Sequence, residues 1–140
     1  MILVALAPVI AVAIVGAAAL ALQAQRAGQR RLVGRRVDLP ADLAGAAAPT
    51  LLYFTGEACT ICHTAQTPAL QRLAADAPPY ALREVDVAVE PALARRYRVM
   101  SLPTTVVVDA RGRVAAVNTG YASTERLREQ LDEARRAVAA

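Results

Sequence analysis

The stretch Ala58-Cys-Thr-Ile-Cys-His-Thr64 contains both cysteines and the only histidine of this 140-residue chain. Two different functions use such a motif: as C-x-x-C the thiols can open and close a disulfide, and as C-x-x-C-H they are the attachment motif of a c-type haem. Two cysteines three residues apart cannot form the disulfide framework of a small secreted domain, which needs pairs spread along the chain. The stretch is therefore a candidate functional site, and its surroundings decide between the two functions.

The residues on either side of this motif predict a strand followed by a helix. The run Thr50–Phe54 (TLLYF) is apolar and β-favouring, and it is bounded by Pro49 and Gly56, which is typical of a short buried strand. From Cys59 to about Ala75, apolar residues recur at intervals of three to four, as in a helix. Pro68 falls inside this predicted helix, where we expect it to introduce a kink.

The remaining pattern predicts a strand, a short helix, a two-stranded hairpin and a final helix that Ser123 caps. These elements cover residues 80–89, 91–98, 104–109, 113–118 and 124–139. The order of the elements is strand, helix, strand, helix, strand, strand, helix. It predicts an α/β domain with a central mixed sheet of about four strands flanked by helices.

The N-terminal segment Met1–Leu22 has no polar or charged side chain. As a helix it would extend roughly 33 Å, enough to cross the hydrocarbon core of a bilayer, where Pro8 is tolerated. A cleaved signal peptide is the alternative, with Ala19–Ala21 as the cleavage site. The segment lacks a basic start, however, and exceeds the usual apolar run of about 7–15 residues. We therefore predict a transmembrane anchor at residues 1–25, a basic juxtamembrane linker at 26–49 and the folded domain at 50–140.

Net charge is concentrated next to this anchor. Residues 1–39 carry five arginines and one acid, a balance of +4, whereas residues 40–140 carry eleven arginines and eleven acids. Such an arginine cluster favours anionic lipid headgroups over nucleic acid at this position. By the positive-inside rule the domain is expected in the cytoplasm, as part of a single-pass membrane protein, with the extracytoplasmic side as the alternative.

Haem and metal sites fit this sequence poorly. His63 and Met100 could formally serve as axial ligands, but small haem domains are typically helical and enclose their cofactor in aromatic and apolar groups. Here a strand ends just before the motif, and the chain has only one Phe and four Tyr. A zinc site would lack its fourth ligand. We therefore expect no metal and no cofactor other than a reversible Cys59–Cys62 disulfide.

The dithiol interpretation uses the whole local pattern. A strand that delivers Cys59 to the N-terminus of a helix places its sulfur among unpaired backbone N–H groups, which favours the thiolate and lowers its pKa. Cys62 lies one turn later on the same side, where it can close a disulfide with Cys59. We therefore assign Cys59 as the attacking thiol and Cys62 as the more buried resolving thiol.

From about Thr50 to the C-terminus the sequence resembles the thioredoxin superfamily. The resemblance rests on the TLLYF strand, the C-x-x-C motif, and on Pro68, Asp86, Tyr97, Pro103 within Ser-Leu-Pro-Thr, Gly120 and the amphipathic final helix. It implies a thioredoxin-like fold after one transmembrane helix, with Pro103 as a cis proline that faces the dithiol. It also implies that Leu102 offers backbone hydrogen bonds to a bound substrate strand.

Two departures from the thioredoxin pattern concern the site itself. The residue before Cys59 is Ala58 where thioredoxins have tryptophan, and Tyr53 stands where thioredoxins place a buried aspartate beneath the second cysteine. Deprotonation of Cys62 must then rely on water, on Glu57 or on another group. His63 can stabilise a nearby thiolate when it is protonated.

The predicted function is a membrane-anchored protein-disulfide oxidoreductase that works as a monomer. Its expected partners are protein disulfide or dithiol substrates, a redox partner and the membrane, and no nucleic acid. The alternative, which the missing aspartate and tryptophan favour, is a catalytically weak thioredoxin-like module that holds a client beside Pro103.

Overall fold

A computed structural model describes residues 2–140, so Met1, the first residue of the predicted anchor, lies outside the described part. The helices and strands, in chain order, are α1 (Ile2–Arg30), β1 (Thr50–Thr55), α2 (Thr67–Asp76), β2 (Ala81–Asp86), α3 (Pro91–Arg96), β3 (Thr104–Val108), β4 (Val114–Thr119) and α4 (Thr124–Ala139). The order of elements is the predicted one. The predicted strand bounds differ from the observed ones by no more than one residue, except at the end of β2, where the predicted strand is three residues longer.

The four strands form one mixed sheet in the order β2-β1-β3-β4. Strand β1 runs parallel to β2 and antiparallel to β3, while β3 and β4 form the predicted antiparallel hairpin. A parallel pair needs a long crossover connection, and the crossover from β1 to β2 contains the dithiol and α2. The predicted fold class, a mixed sheet of four strands flanked by helices, is confirmed.

Strand β1 contributes to both faces of the sheet because successive side chains in a strand point in opposite directions. Leu51 and Tyr53 belong to the buried cluster that contains residues of α2 and α4. Leu52 and Phe54 belong to the cluster on the other face, where the rings of Phe54 and Tyr97 lie 5.6 Å apart. The dithiol therefore follows a strand that is fixed by packing on both sides.

The helix after the dithiol differs from the predicted kinked helix. A π-helical turn at Cys62–Gln66 precedes α2, and the Thr67 amide donates to the Cys62 carbonyl five residues earlier. Pro68 therefore lies in the first turn of α2 and not in a helix interior. Proline has no N–H to donate and its ring collides with the carbonyl four residues before it, so a widened turn accommodates Pro68.

Helix α1 includes one segment, Ala7–Arg30, that is long and apolar enough to cross a membrane. Its length and composition are equally those of a signal sequence near an N-terminus. The side chains from Ala7 to Leu22 are all exposed in the structure.

The last turns of α1 contact the domain. The Gln25 amide donates to the Ser101 hydroxyl at 3.1 Å, and the Thr119 hydroxyl donates to the Gln29 side-chain oxygen. Ser101 immediately precedes Leu102, so α1 lies beside the loop that contains the cis proline.

The basic segment after α1 also packs on the sheet. Leu32 is buried, the Gly34 amide donates to the Val114 carbonyl at 2.8 Å, and the Val37 amide donates to the Gly112 carbonyl at 2.9 Å. These bonds cover the end of β4 near the hairpin turn. The division of the chain at residues 25 and 49 stays a prediction, but residues 31–37 lie against the domain and do not merely connect it to α1.

Candidate redox site

Cys59 and Cys62 form a disulfide in this structure, with their Cα atoms 5.3 Å apart. Cys59 is partly exposed, whereas Cys62 is completely buried. An incoming thiol or disulfide from another protein can therefore reach the sulfur of Cys59 but not that of Cys62. This difference in exposure is the one that the assigned roles of attacking and resolving thiol require.

The sulfur of Cys59 lies at the start of the helical segment. The Cys62 amide donates to the Cys59 sulfur at 3.2 Å. This N–H belongs to the first turn, where backbone donors have no partner within the helix. Such a donor stabilises a negative charge on sulfur, so the geometry favours a Cys59 thiolate in the reduced protein.

Tyr53 lies beneath the second cysteine and is almost completely buried. Its hydroxyl donates to the Cys62 carbonyl at 3.2 Å and lies 3.4 Å from the Thr67 hydroxyl. The tyrosine thus contacts the backbone of Cys62 and helps to fix the π-helical turn. It does not form a hydrogen bond with either sulfur among the described residues.

His63 and Glu57 are both exposed. The His63 Nε2 atom lies 3.1 Å from the Glu57 backbone carbonyl, and because a carbonyl only accepts, Nε2 carries the proton in this contact. The histidine therefore ties the loop before Cys59 to the turn after it. No hydrogen bond joins the Glu57 carboxylate to the dithiol in residues 2–140.

Leu102 and Pro103 form the second part of the site. The peptide bond between them is cis, as the resemblance implies, and Pro103 is buried. The partly exposed Leu102 packs against the same buried cluster as Cys59, and this cluster contains Cys62. The Ser101 carbonyl accepts from the Thr104 hydroxyl, but the Leu102 amide and carbonyl have no hydrogen-bond partner among the described residues.

The sequence-based interpretation missed Gln66, which joins the two parts of the site. Its fully buried side chain donates to the Ala122 carbonyl at 3.1 Å and accepts from the Ala122 amide at 2.9 Å. Two residues before Ala122, the Gly120 amide donates to the Pro103 carbonyl at 2.8 Å. Gln66 could have been identified from the sequence as a polar residue one turn after Cys62, on the apolar face of the predicted helix.

The two side chains that could serve as axial ligands of a haem are both exposed. Met100 is 76% exposed, and His63 is bonded to the Glu57 backbone. Within the described part of the chain, no three His, Cys, Asp or Glu side chains group as metal ligands.

Comparison with known proteins points to one family. The thioredoxin-like domain family matches residues 40–135, which is more than half of the chain. No curated protein matches the chain.

Several solved structures have a similar fold. Thioredoxin-2 of a malaria parasite, part of its protein secretion machinery, is 24% identical, with a TM-score of 0.56 over 61% of this chain and 82% of that one. Fasciola hepatica thioredoxin is 24% identical, with a TM-score of 0.57 over 65% of this chain and 85% of that one. StoA from Bacillus subtilis is 17% identical, with a TM-score of 0.51 over 60% of this chain and 82% of that one. These TM-scores show a shared fold, and the family match over residues 40–135 shows that the chain belongs to the thioredoxin-like domain family.

Proposed function

We propose that this protein is a membrane-anchored thiol-disulfide oxidoreductase that exchanges disulfides with protein substrates. A thioredoxin-like domain with a C-x-x-C pair supports thiol-disulfide oxidoreductase chemistry in general. The observation that carries the finer proposal is the exposure of Cys59 beside the buried Cys62, near a loop in which the Leu102 backbone groups have no partner among residues 2–140.

The reaction transfers two electrons in two exchange steps. In the reducing direction, the Cys59 thiolate attacks one sulfur of a substrate disulfide, forming a mixed disulfide and releasing the other substrate sulfur as a thiolate that takes up a proton. The Cys62 thiol then loses its proton and attacks the Cys59 sulfur, which releases the second substrate thiolate. The products are a substrate dithiol and the Cys59–Cys62 disulfide, and the oxidising direction is the reverse.

Leu102 is the proposed substrate contact. Its backbone N–H and C=O have no partner among residues 2–140, whereas the neighbouring carbonyls of Ser101 and Pro103 are both occupied. A substrate in extended conformation could pair with these two groups as an added strand does. Because Leu102 and Cys59 pack against the same cluster, this pairing would hold a substrate disulfide near the Cys59 sulfur.

A binding module that lacks strong redox activity is the second candidate. The supporting observation is Tyr53, since its hydroxyl contacts the Cys62 backbone where thioredoxins have a carboxylate. In such a module Leu102 and Pro103 would hold a client without disulfide exchange. A Cys59→Ser protein that retained full function in cells would favour this candidate.

Turnover by the full chain in detergent tests the oxidoreductase proposal. The protein should accelerate the reduction of a disulfide-bonded test protein by dithiothreitol. Cys59→Ser should lower the rate to the uncatalysed background, because it removes the attacking sulfur. The matched control is Thr60→Ser, at an exposed neighbour, which should retain the rate. Equal rates for the wild type and Cys59→Ser would refute the mechanism.

A further inference from the structure

We propose that a pocket between the end of α1 and strand β4 binds the phosphate group of an anionic lipid. We name it the junction pocket; its lining includes Arg26, Gln29, Arg30, Asn118, Tyr121 and Arg126, and its volume is about 410 Å³. The lipid assignment rests on the proposed membrane anchoring, whereas the pocket itself does not. The inference differs from general attraction by the arginine cluster, since Arg126 belongs to α4.

The described lining of the pocket contains positive charge and no acidic side chain. Three arginines line it and no aspartate or glutamate does, and none of the three forms an ion pair within residues 2–140. A guanidinium group presents paired N–H donors that match the oxygens of a phosphate. Three such groups at one pocket therefore favour a phosphate ligand over a neutral one.

One of these arginines is held in place by the domain. Arg126 donates through Nε to the Asn118 side-chain oxygen at 2.9 Å, and the Asn118 amide is itself paired reciprocally with the Gln130 amide. This arrangement leaves the two terminal nitrogens of Arg126 without a protein partner in the described residues. An oriented guanidinium with free donors loses less conformational entropy when it binds an anion.

Gln29 supplies a second, independent observation. It lines the pocket, is 4% exposed, and accepts a hydrogen bond from the Thr119 hydroxyl, but its amide nitrogen is buried without a partner among the described residues. A buried donor without an acceptor is costly, so most buried polar groups are paired. A phosphate oxygen in the junction pocket would provide the missing acceptor.

The position of the pocket along α1 is close to the depth of lipid phosphates. The apolar run ends at Leu22, so Arg26 and Arg30 lie about 6 Å and 12 Å further along the helix axis. Beyond the hydrocarbon core, each headgroup layer of a bilayer is about 5–8 Å thick. Arg26 would thus lie within the headgroup layer and Arg30 just beyond it, so the junction pocket would open at the outer edge of this layer when α1 crosses the membrane.

Lipid binding to the full chain in a nonionic detergent tests the proposal. Native mass spectrometry would measure retention of phosphatidylglycerol, with phosphatidylcholine as the zwitterionic comparison and glycerol phosphate as a soluble competitor. We expect Arg126→Gln to weaken phosphatidylglycerol binding at least tenfold. Arg136→Gln, which removes the same charge from an exposed position on α4, should change it less than twofold. Arg30→Gln is a second pocket variant, and a thermal melt checks that each variant is folded.

Each outcome has a distinct meaning. The assignment of the junction pocket as the binding site would be overturned if Arg126→Gln and Arg136→Gln weakened phosphatidylglycerol binding equally. It would also be overturned if neither Arg126→Gln nor Arg30→Gln weakened that binding. Binding of glycerol phosphate that depends on Arg126, without binding of phosphatidylglycerol, would support the phosphate site and overturn the lipid assignment. The measurement involves no redox step, so its result is independent of whether Cys59 exchanges disulfides.

Discussion

Tyr53 and His63 show what single residues reveal before the structure is known. The sequence identifies Tyr53 as the residue in the place of an aspartate, and the structure places its hydroxyl on the Cys62 carbonyl. The contact of His63 with the Glu57 backbone was not predictable, because it depends on how the chain between these two residues, six positions apart in sequence, folds back. His63 allows the motif to be interpreted either as a dithiol or as a haem attachment site, and the surrounding fold is needed to choose between the two.

Tyr97 makes the stability of the domain depend on pH in the alkaline range. Its hydroxyl is buried without a hydrogen-bond partner among the described residues, and desolvation raises the pKa from 10.0 to about 12. Between pH 10 and about 12 the unfolded chain gives up this proton while the folded chain keeps it. The free energy of unfolding should therefore decrease as the pH rises through this range.

Tyr97→Phe tests this pH dependence. The variant removes the titrating hydroxyl and its unpaired burial, so the decrease above pH 10 should become shallower. At pH 7 the free energy of unfolding should stay equal or rise by about 1 kcal/mol. Urea unfolding at a series of pH values measures both effects, and Tyr121→Phe, at a tyrosine that is 49% exposed, is the control. An unchanged alkaline slope in Tyr97→Phe would contradict this assignment.

The elements follow the sequence wherever side-chain patterns decide the structure. The runs at Thr50–Phe54 and Thr104–Asp109 predicted the two central strands, because a strand buried on both faces needs continuous apolar or β-branched residues. The π-helical turn before α2 was not predictable, since it results from the conflict between the Pro68 ring and the preceding carbonyls. Pattern periodicity does not distinguish a widened turn from a regular one.

Gln66 links the dithiol turn to the segment before α4, and we expect this link to determine the stability of the site. Gln66→Leu would remove two buried hydrogen bonds and leave the Ala122 amide and carbonyl unpaired. The free energy of unfolding should fall by about 2–5 kcal/mol, as two buried groups lose their partners. Gln71→Leu, at an exposed position of α2, should change it by less than about 0.5 kcal/mol. Similar values for both variants in urea unfolding would show that the link contributes little.

The whole molecule combines an apolar helix, a charge cluster and a redox domain. The positions of the charged residues along the sequence show that the net charge lies before residue 40, but they cannot show that α1 contacts the domain. That contact depends on Gln25 and Gln29, which lie just after the apolar run and reach Ser101 and Thr119. In the proposed membrane-anchored protein, a site beside these contacts would face substrates close to the membrane surface.

Orientation in the membrane is a prediction at this scale. The arginines follow the apolar segment, so the positive-inside rule places the domain in the cytoplasm. A C-terminal reporter that is active only in the cytoplasm should be active, and one that works only outside the membrane should be silent. The opposite pattern would place the redox site outside and contradict the prediction. Replacing Arg30, Arg31, Arg35 and Arg36 with glutamine should reduce the preference for the orientation with the domain in the cytoplasm.

Trapping of the mixed disulfide tests the central claim, that Cys59 attacks and Cys62 resolves, most directly. The reduced full chain carrying Cys62→Ser would be mixed with a disulfide-bonded test protein, and the products separated without reductant. The account predicts a one-to-one covalent complex through Cys59, because the resolving thiol is gone. Cys59→Ser should give no such complex, since Cys62 is completely buried. Equal trapping by Cys59→Ser through Cys62 would contradict the account.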